Sequence, residues 1–169
     1  LVLSLALPTP AAVTGQWDFN DGNLSATVGT ALAFRGDTAA TTAFTSATIG
    51  GQPAQVMSFP ATTPSQGYIM THGIAPNGGG SSVNQYTLIL DVMFPTASSG
   101  QWRSFFQSNP DNSNDGDLFV NPANGIGISG EYQGTILANT WHRVAFVVDL
   151  TAASGKLRKF IDGVQVGTQ

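Results

Sequence analysis

Residues 85–94, QYTLILDVMF, alternate so that Tyr86, Leu88, Leu90, Val92 and Phe94 share one face, with Thr87, Ile89, Asp91 and Met93 on the other. Both faces are largely apolar, which predicts a central strand. WRSFFQSN (102–109) and DLFVNP (117–122) read as an antiparallel pair across the loop PDNSNDG. GIGISGEYQG (125–134) reads as a glycine-rich strand and turn, and WHRVAFVVDL (141–150) as a long strand. KLRKFIDGVQVGTQ reads as a hairpin whose Asp162-Gly163 turn suits a type I′ geometry, since both positions need positive φ. In the first half, GQWDFND (15–21), ALAFRG (31–36), AQVMSFP (54–60) and GYIMTHG (67–73) are expected strands, and PNGGGSSVN (76–84) a loop. No window shows helical periodicity free of Gly or Pro. Many short strands with frequent turn signals predict an all-β, two-sheet sandwich.

Composition sharpens that picture. Charged residues make up 9% of the 169, against roughly 25% in an average globular protein, so hydroxyls and amides must solvate the surface. The net charge is −4, with only six Lys and Arg, too few to neutralise a phosphate backbone. No nucleic-acid partner is expected. Lys156, Arg158 and Lys159 are expected to form a solvated strand edge that discourages sheet-to-sheet pairing. The absence of cysteine excludes disulfides and thiolate chemistry. No run reaches the ~18 apolar residues of a membrane span.

Residues 1–14 are set apart as a linker, a signal-peptide remnant or the end of a preceding module. LVLSLALPTPAA has an apolar run followed by small residues, as at the end of a secretory signal. It also reads as a last strand followed by a Pro-rich linker. Either reading makes the chain a piece of a longer or processed protein and favours export.

The succession GQWDFNDGNL, YTLILDVMF, DLFVNPANGIGISGEYQG, NTWHRVAFVVDL and KFIDGVQVG resembles the laminin G-like branch of the concanavalin A-like lectin/glucanase superfamily. The resemblance runs over residues 15–169. It is carried by Trp141-His142-Arg143-Val144-Ala145 followed by Phe160-Ile161-Asp162-Gly163. It implies a two-sheet antiparallel jelly roll that lacks its C-terminal strands in this chain, because relatives continue past the Ile161-Asp162-Gly163 hairpin. Such modules are extracellular or at the cell surface. They bind glycans or proteins, or accompany other domains of a secreted bacterial protein such as a hydrolase. The missing strands imply a second possibility: an assembly module completed by strands from a partner chain or neighbouring domain.

Catalytic chemistry finds little support. Glycosidases usually need two carboxyls about 5–9.5 Å apart. The superfamily's glucanases set them as E-x-D-x-x-E on one strand face, whereas Glu131 is the single glutamate here and sits in a glycine-rich turn. No G-x-S-x-G elbow occurs, and His142 reads as a half-buried strand histidine bonded to a neighbour. Gly78–Gly80 lack the Lys of a phosphate-binding loop. The chain is therefore expected to be non-catalytic.

Binding chemistry is more open. Exposed rings next to loops can stack on sugars, which singles out Tyr68, Trp102 and Tyr132, with His72 as a surface contact; Trp17 and Trp141 read as core anchors. Residues 111–116, DNSNDG, match the first half of an EF-hand loop, with Asp111, Ser113 and Asp115 alternating before Gly116. The twelfth position is Pro122, so that motif fails. A calcium site of another kind, at Asp111, Asp115 and Asp117, is what the resemblance adds.

Overall fold

The computed structural model describes residues 12–63, 65–109 and 117–169. It is mostly β, with antiparallel sheets and almost no helix, and no closed barrel forms among the described residues. The strands are β1 (Ala33–Arg35), β2 (Ala43–Ile49), β3 (Gln52–Ser58), β4 (Gly67–Ile69), β5 (Gln85–Val92) and β6 (Arg103–Phe106). They continue as β7 (Leu118–Val120), β8 (Ile126–Ile128), β9 (Glu131–Gln133), β10 (His142–Asp149), β11 (Leu157–Ile161) and β12 (Val164–Thr168). The described helical segments are one turn each: α1 (Thr38–Thr41) after β1, and a 3-10 turn, Thr96–Ser98, after β5.

Two four-stranded sheets run in the orders β12-β11-β10-β5 and β6-β7-β8-β9. They share one hydrophobic core built from their alternating inward residues. Val144, Phe146 and Val148 of β10 meet Leu157 and Ile161 of β11 and Leu118, Val120 and Ile126 of β7 and β8. Phe146 is fully buried and packs edge-on against Phe105, with centroids 5.4 Å apart. Burying a side chain of this kind is worth about 1.5–3 kcal/mol.

The 162–163 turn forms as expected, with φ of 51° at Asp162 and 80° at Gly163. The antiparallel pairing of β6 with β7 is also as expected. Four expectations are corrected. β5 is an edge strand, pairing only with β10 among the described residues. Its second apolar face lies against solvent, Ile89 being 60% exposed. Lys159 is not on a solvated edge: it shares the inward face of β11 with Leu157 and Ile161 and is fully buried. Its ammonium donates to the Glu131 carbonyl at 2.6 Å, and Gln169 Oε1 lies at 3.4 Å. The 15–21 stretch makes only the isolated Gln16–Val28 bridge. Trp17 and Trp141 are half-buried and stand outside the core cluster; the Trp17 indole N–H donates to Thr30 O at 3.0 Å.

Residues 12–84 are built differently. β2 and β3 form a two-stranded ribbon, in register from Ala43–Ser58 to Ile49–Gln52, and β1 pairs with β4. Leu24 is the buried hydrophobic residue of this region, and Thr38 its buried polar one. The Thr38 hydroxyl contacts the Arg35 carbonyl and lies 2.9 Å from Gly67 O, tying α1 and β1 to β4.

Candidate functional site

Register brings two of the expected ligand-binding aromatics together. Across the second sheet, Ser104 faces Phe119, Phe119 faces Gly127, and Gly127 faces Tyr132. Directly opposed residues of an antiparallel pair project to the same side. Leu118, Val120 and Ile126 take the core side, so Phe119 and Tyr132 take the solvent side. Gly127 puts no side chain between them. Trp102, two residues before Ser104, joins that face, its indole 5.9 Å from Phe119 and 5.4 Å from Tyr132. Both contacts are edge-on, at 82° and 70°, and the Trp102 side of the cluster stays open, the residue being 59% exposed.

The platform is held from behind. Arg103 points inward, its guanidinium 4.7 Å above the Phe94 ring and 2.6 Å from Asn124 Oδ1. Burial pushes its pKa down from the ordinary arginine value. On β9, the buried Lys159 ammonium grips the carbonyl of Glu131, the residue before Tyr132. A Cβ at position 127 would overlap that carbonyl oxygen and touch the Lys159 amine, so only glycine admits the contact. Phe119 and Gly127 were not singled out from sequence. A glycine in the middle of a strand was the available signal.

The other expected residues lie elsewhere. Tyr68, on β4, packs against Phe34 and Phe59 at 6.0 and 5.1 Å and shares a 2.7 Å hydrogen bond with the Thr42 hydroxyl. Burial raises its phenol pKa, with the Thr42 bond opposing. His72 is exposed and its Nδ1 accepts the Ile74 N–H at 3.0 Å, a local turn contact. Asp111 and Asp115 lie outside the described residues. The Asp117 carboxylate accepts the Ser108 N–H at 2.5 Å. Among the described residues no group of three or more His, Cys, Asp or Glu is placed to hold a metal ion.

His142 is 6% exposed, and both ring nitrogens are engaged. Nε2 accepts the Leu137 N–H at 3.0 Å, which leaves Nδ1 to donate to Asp162 Oδ2 at 2.7 Å. Asp162 Oδ1 accepts the Arg143 N–H at 2.9 Å. The His142 hydrogen bond, chiefly, holds the Asp162 carboxyl below its ordinary pKa. The histidine and the hairpin aspartate thus form one structural lock joining β10 to the 162–163 turn.

A hollow of about 240 Å³ lies in the 18–27 loop, lined by Asp18, Asn20, Asp21, Asn23 and Thr27 among others. Asp18 spends its oxygens locally, accepting from the Thr27 hydroxyl at 2.7 Å and the Asn20 N–H at 3.2 Å. Comparison of the chain with protein-family models, with curated proteins and with solved structures finds no match.

Proposed function

We propose that this chain is a non-catalytic, extracellular binding module that stacks a carbohydrate ring on Trp102. The observation that carries the reading is the solvent-side triad of Trp102, Phe119 and Tyr132. A pyranose presents C–H groups on one face, and these sit favourably on the electron-rich face of an indole. Steep packing against two further rings fixes the indole before binding, so little rotamer freedom is lost when a sugar arrives. The low charge of the chain suits a neutral glycan.

The non-catalytic part of the reading is supported by His142, whose two nitrogens are both committed to structure. The finer fold assignment, a laminin G-like jelly roll, is likewise a proposal. It is supported by the bond between His142 and Asp162, which gives the two halves of the sequence signature a shared physical role. Calcium at Asp111, Asp115 and Asp117 belongs to the same proposal.

Calorimetric titration with a panel of neutral and acidic oligosaccharides tests the sugar reading. Trp102→Ala is expected to weaken binding at least tenfold and to leave the fold intact, while Tyr68→Ala leaves affinity unchanged. No binding at millimolar sugar across the panel would sink it.

A further inference from the structure

We propose that the open edge of β5 is a strand-addition site, and that its occupant is the same edge of a second copy of this chain. The direction of the free backbone groups follows from the β10 register. Gln85 is opposite Asp149 and Asp91 is opposite Arg143. The Asp149 N–H donates to Lys156 O at 2.8 Å and the Arg143 N–H to Asp162 Oδ1 at 2.9 Å, both on the β11 side. Opposed residues in an antiparallel ladder exchange both hydrogen bonds or neither. Gln85 and Asp91 therefore turn their N–H and C=O away from β10, and so do Thr87 and Ile89 between them.

At Gln85 this is directly visible. The Asn77 side-chain amide imitates a neighbouring strand, its Oδ1 accepting the Gln85 N–H at 2.7 Å and its Nδ2 donating to Gln85 O at 2.7 Å. Beyond that point the imitation stops. No described group bonds to the outward backbone of Thr87, Ile89 or Asp91.

The edge lacks the usual defences. β5 has no Pro, no Lys and no bulge, and its one charge, Asp91, is neutralised by Arg143 through contacts of 2.7 and 2.6 Å. The other edge, β12, is shorter and follows a register shift at Lys159/Phe160. The inward side chains of β5 are only half-buried, whereas those of β10 are buried. Among the described residues the core is thus less covered along this flank.

The edge is also self-complementary. A two-fold axis at Ile89, the centre of the free stretch, makes Thr87–Asp91, Ile89–Ile89 and Asp91–Thr87 the hydrogen-bonded pairs. Leu88 then meets Leu90 on the core side, and Asp91 faces a hydroxyl rather than a second carboxylate. Asn77 ends the ladder at each end, which fixes its register.

Light scattering over a concentration series tests the proposal. Wild type should move to twice the chain mass. Ile89→Pro should restore the monomer mass and stay folded by circular dichroism, because the N–H it removes does not serve β10. Ile89→Lys should do the same by placing like charges opposite each other, and covers the case where the proline variant fails to fold. Val164→Lys, on β12, should leave the dimer intact. A monomer at every soluble concentration overturns the proposal, whether a strand of its own chain or a different partner takes the edge. A dimer indifferent to both Ile89 variants overturns it equally.

Discussion

Residues 12–84 and 85–169 use the same element, the antiparallel strand, to different ends. In the second region alternation delivers long apolar side chains to one side. In β10, Val144, Phe146 and Val148 all fall inward and all are buried. In the first region the seven-residue ribbon strand β2, AFTSATI, has residues that are mainly Ala, Thr and Ser and shows no regular alternation of burial. Neither face carries enough apolar area to define an inside, and no residue of β2 or β3 is buried. Backbone pairing makes a ribbon; burial makes a core. The first region is tied instead by hydroxyls, Thr38 to Gly67 and Thr42 to Tyr68.

The sharpest way to break that contrast is a matched pair of truncations. Phe146→Ala empties a fully buried site and is expected to cost about 3–5 kcal/mol. Phe44→Ala, on the ribbon and 6.0 Å from Phe19, should cost about 1 kcal/mol or less. Urea unfolding measures both. Equal losses would mean that the ribbon shares the core's cooperativity and that the two-region description is wrong.

Much of the second region was legible in the sequence. Strands β10 and β11, with the turn at Asp162, show strong alternation and defining turn chemistry. What failed there failed for one reason: alternation assigns residues to faces but does not say what covers them. The two apolar faces of β5 read as a central strand, yet the outer one borders a shallow hollow of about 300 Å³ lined by Ile89, Ala145, Val147 and Phe160. Lys159 sits in phase with Leu157 and Ile161, so period two alone would have placed it inside; its charge argued otherwise. β2 escaped notice because Ala, Thr and Ser give no hydrophobic contrast. Trp102 and Tyr132 were each readable as candidates. Their proximity was not, since it depends on a register running through Phe119 and Gly127.

A smaller effect separates the polar ties of the two regions. His142 is a buried tie on β10. His142→Ala strands the Leu137 N–H and releases Asp162, at an expected cost of about 2–3 kcal/mol. The Asp162 contribution has a definite sign. Its folded pKa is depressed, so the unfolded chain binds more protons as pH falls. That stability is complete above the ordinary aspartate value of about 3.9 and is lost as pH drops through the folded one. Acid unfolding of wild type against Asp162→Asn should show a gap that closes below about pH 4. A gap that is constant with pH would detach the carboxylate's charge from the lock.

The finest test concerns Lys159, a fully buried cation in phase with Leu157 and Ile161. Burial pushes its ammonium below the usual lysine range, with the Glu131 charge pulling weakly the other way. The unfolded chain keeps this proton up to about pH 10.4, while the folded chain releases it sooner. Between those points the unfolded state binds more protons, so this group's contribution to stability rises with pH. Tyr86 and Tyr68, whose phenols are raised by burial, act in the opposite sense at high pH, which obscures the trend in wild type alone. Lys159→Met retains both tyrosines and the apolar stem but removes the charge, so their contribution cancels in the difference. Wild type should therefore gain on Lys159→Met as pH climbs from 7 towards about 10, read as converging or crossing urea midpoints. Parallel curves would mean that the amine keeps its proton in the fold. Its bond to the Glu131 carbonyl, with the weak pull of the Glu131 charge, would then have to offset the burial of the ammonium.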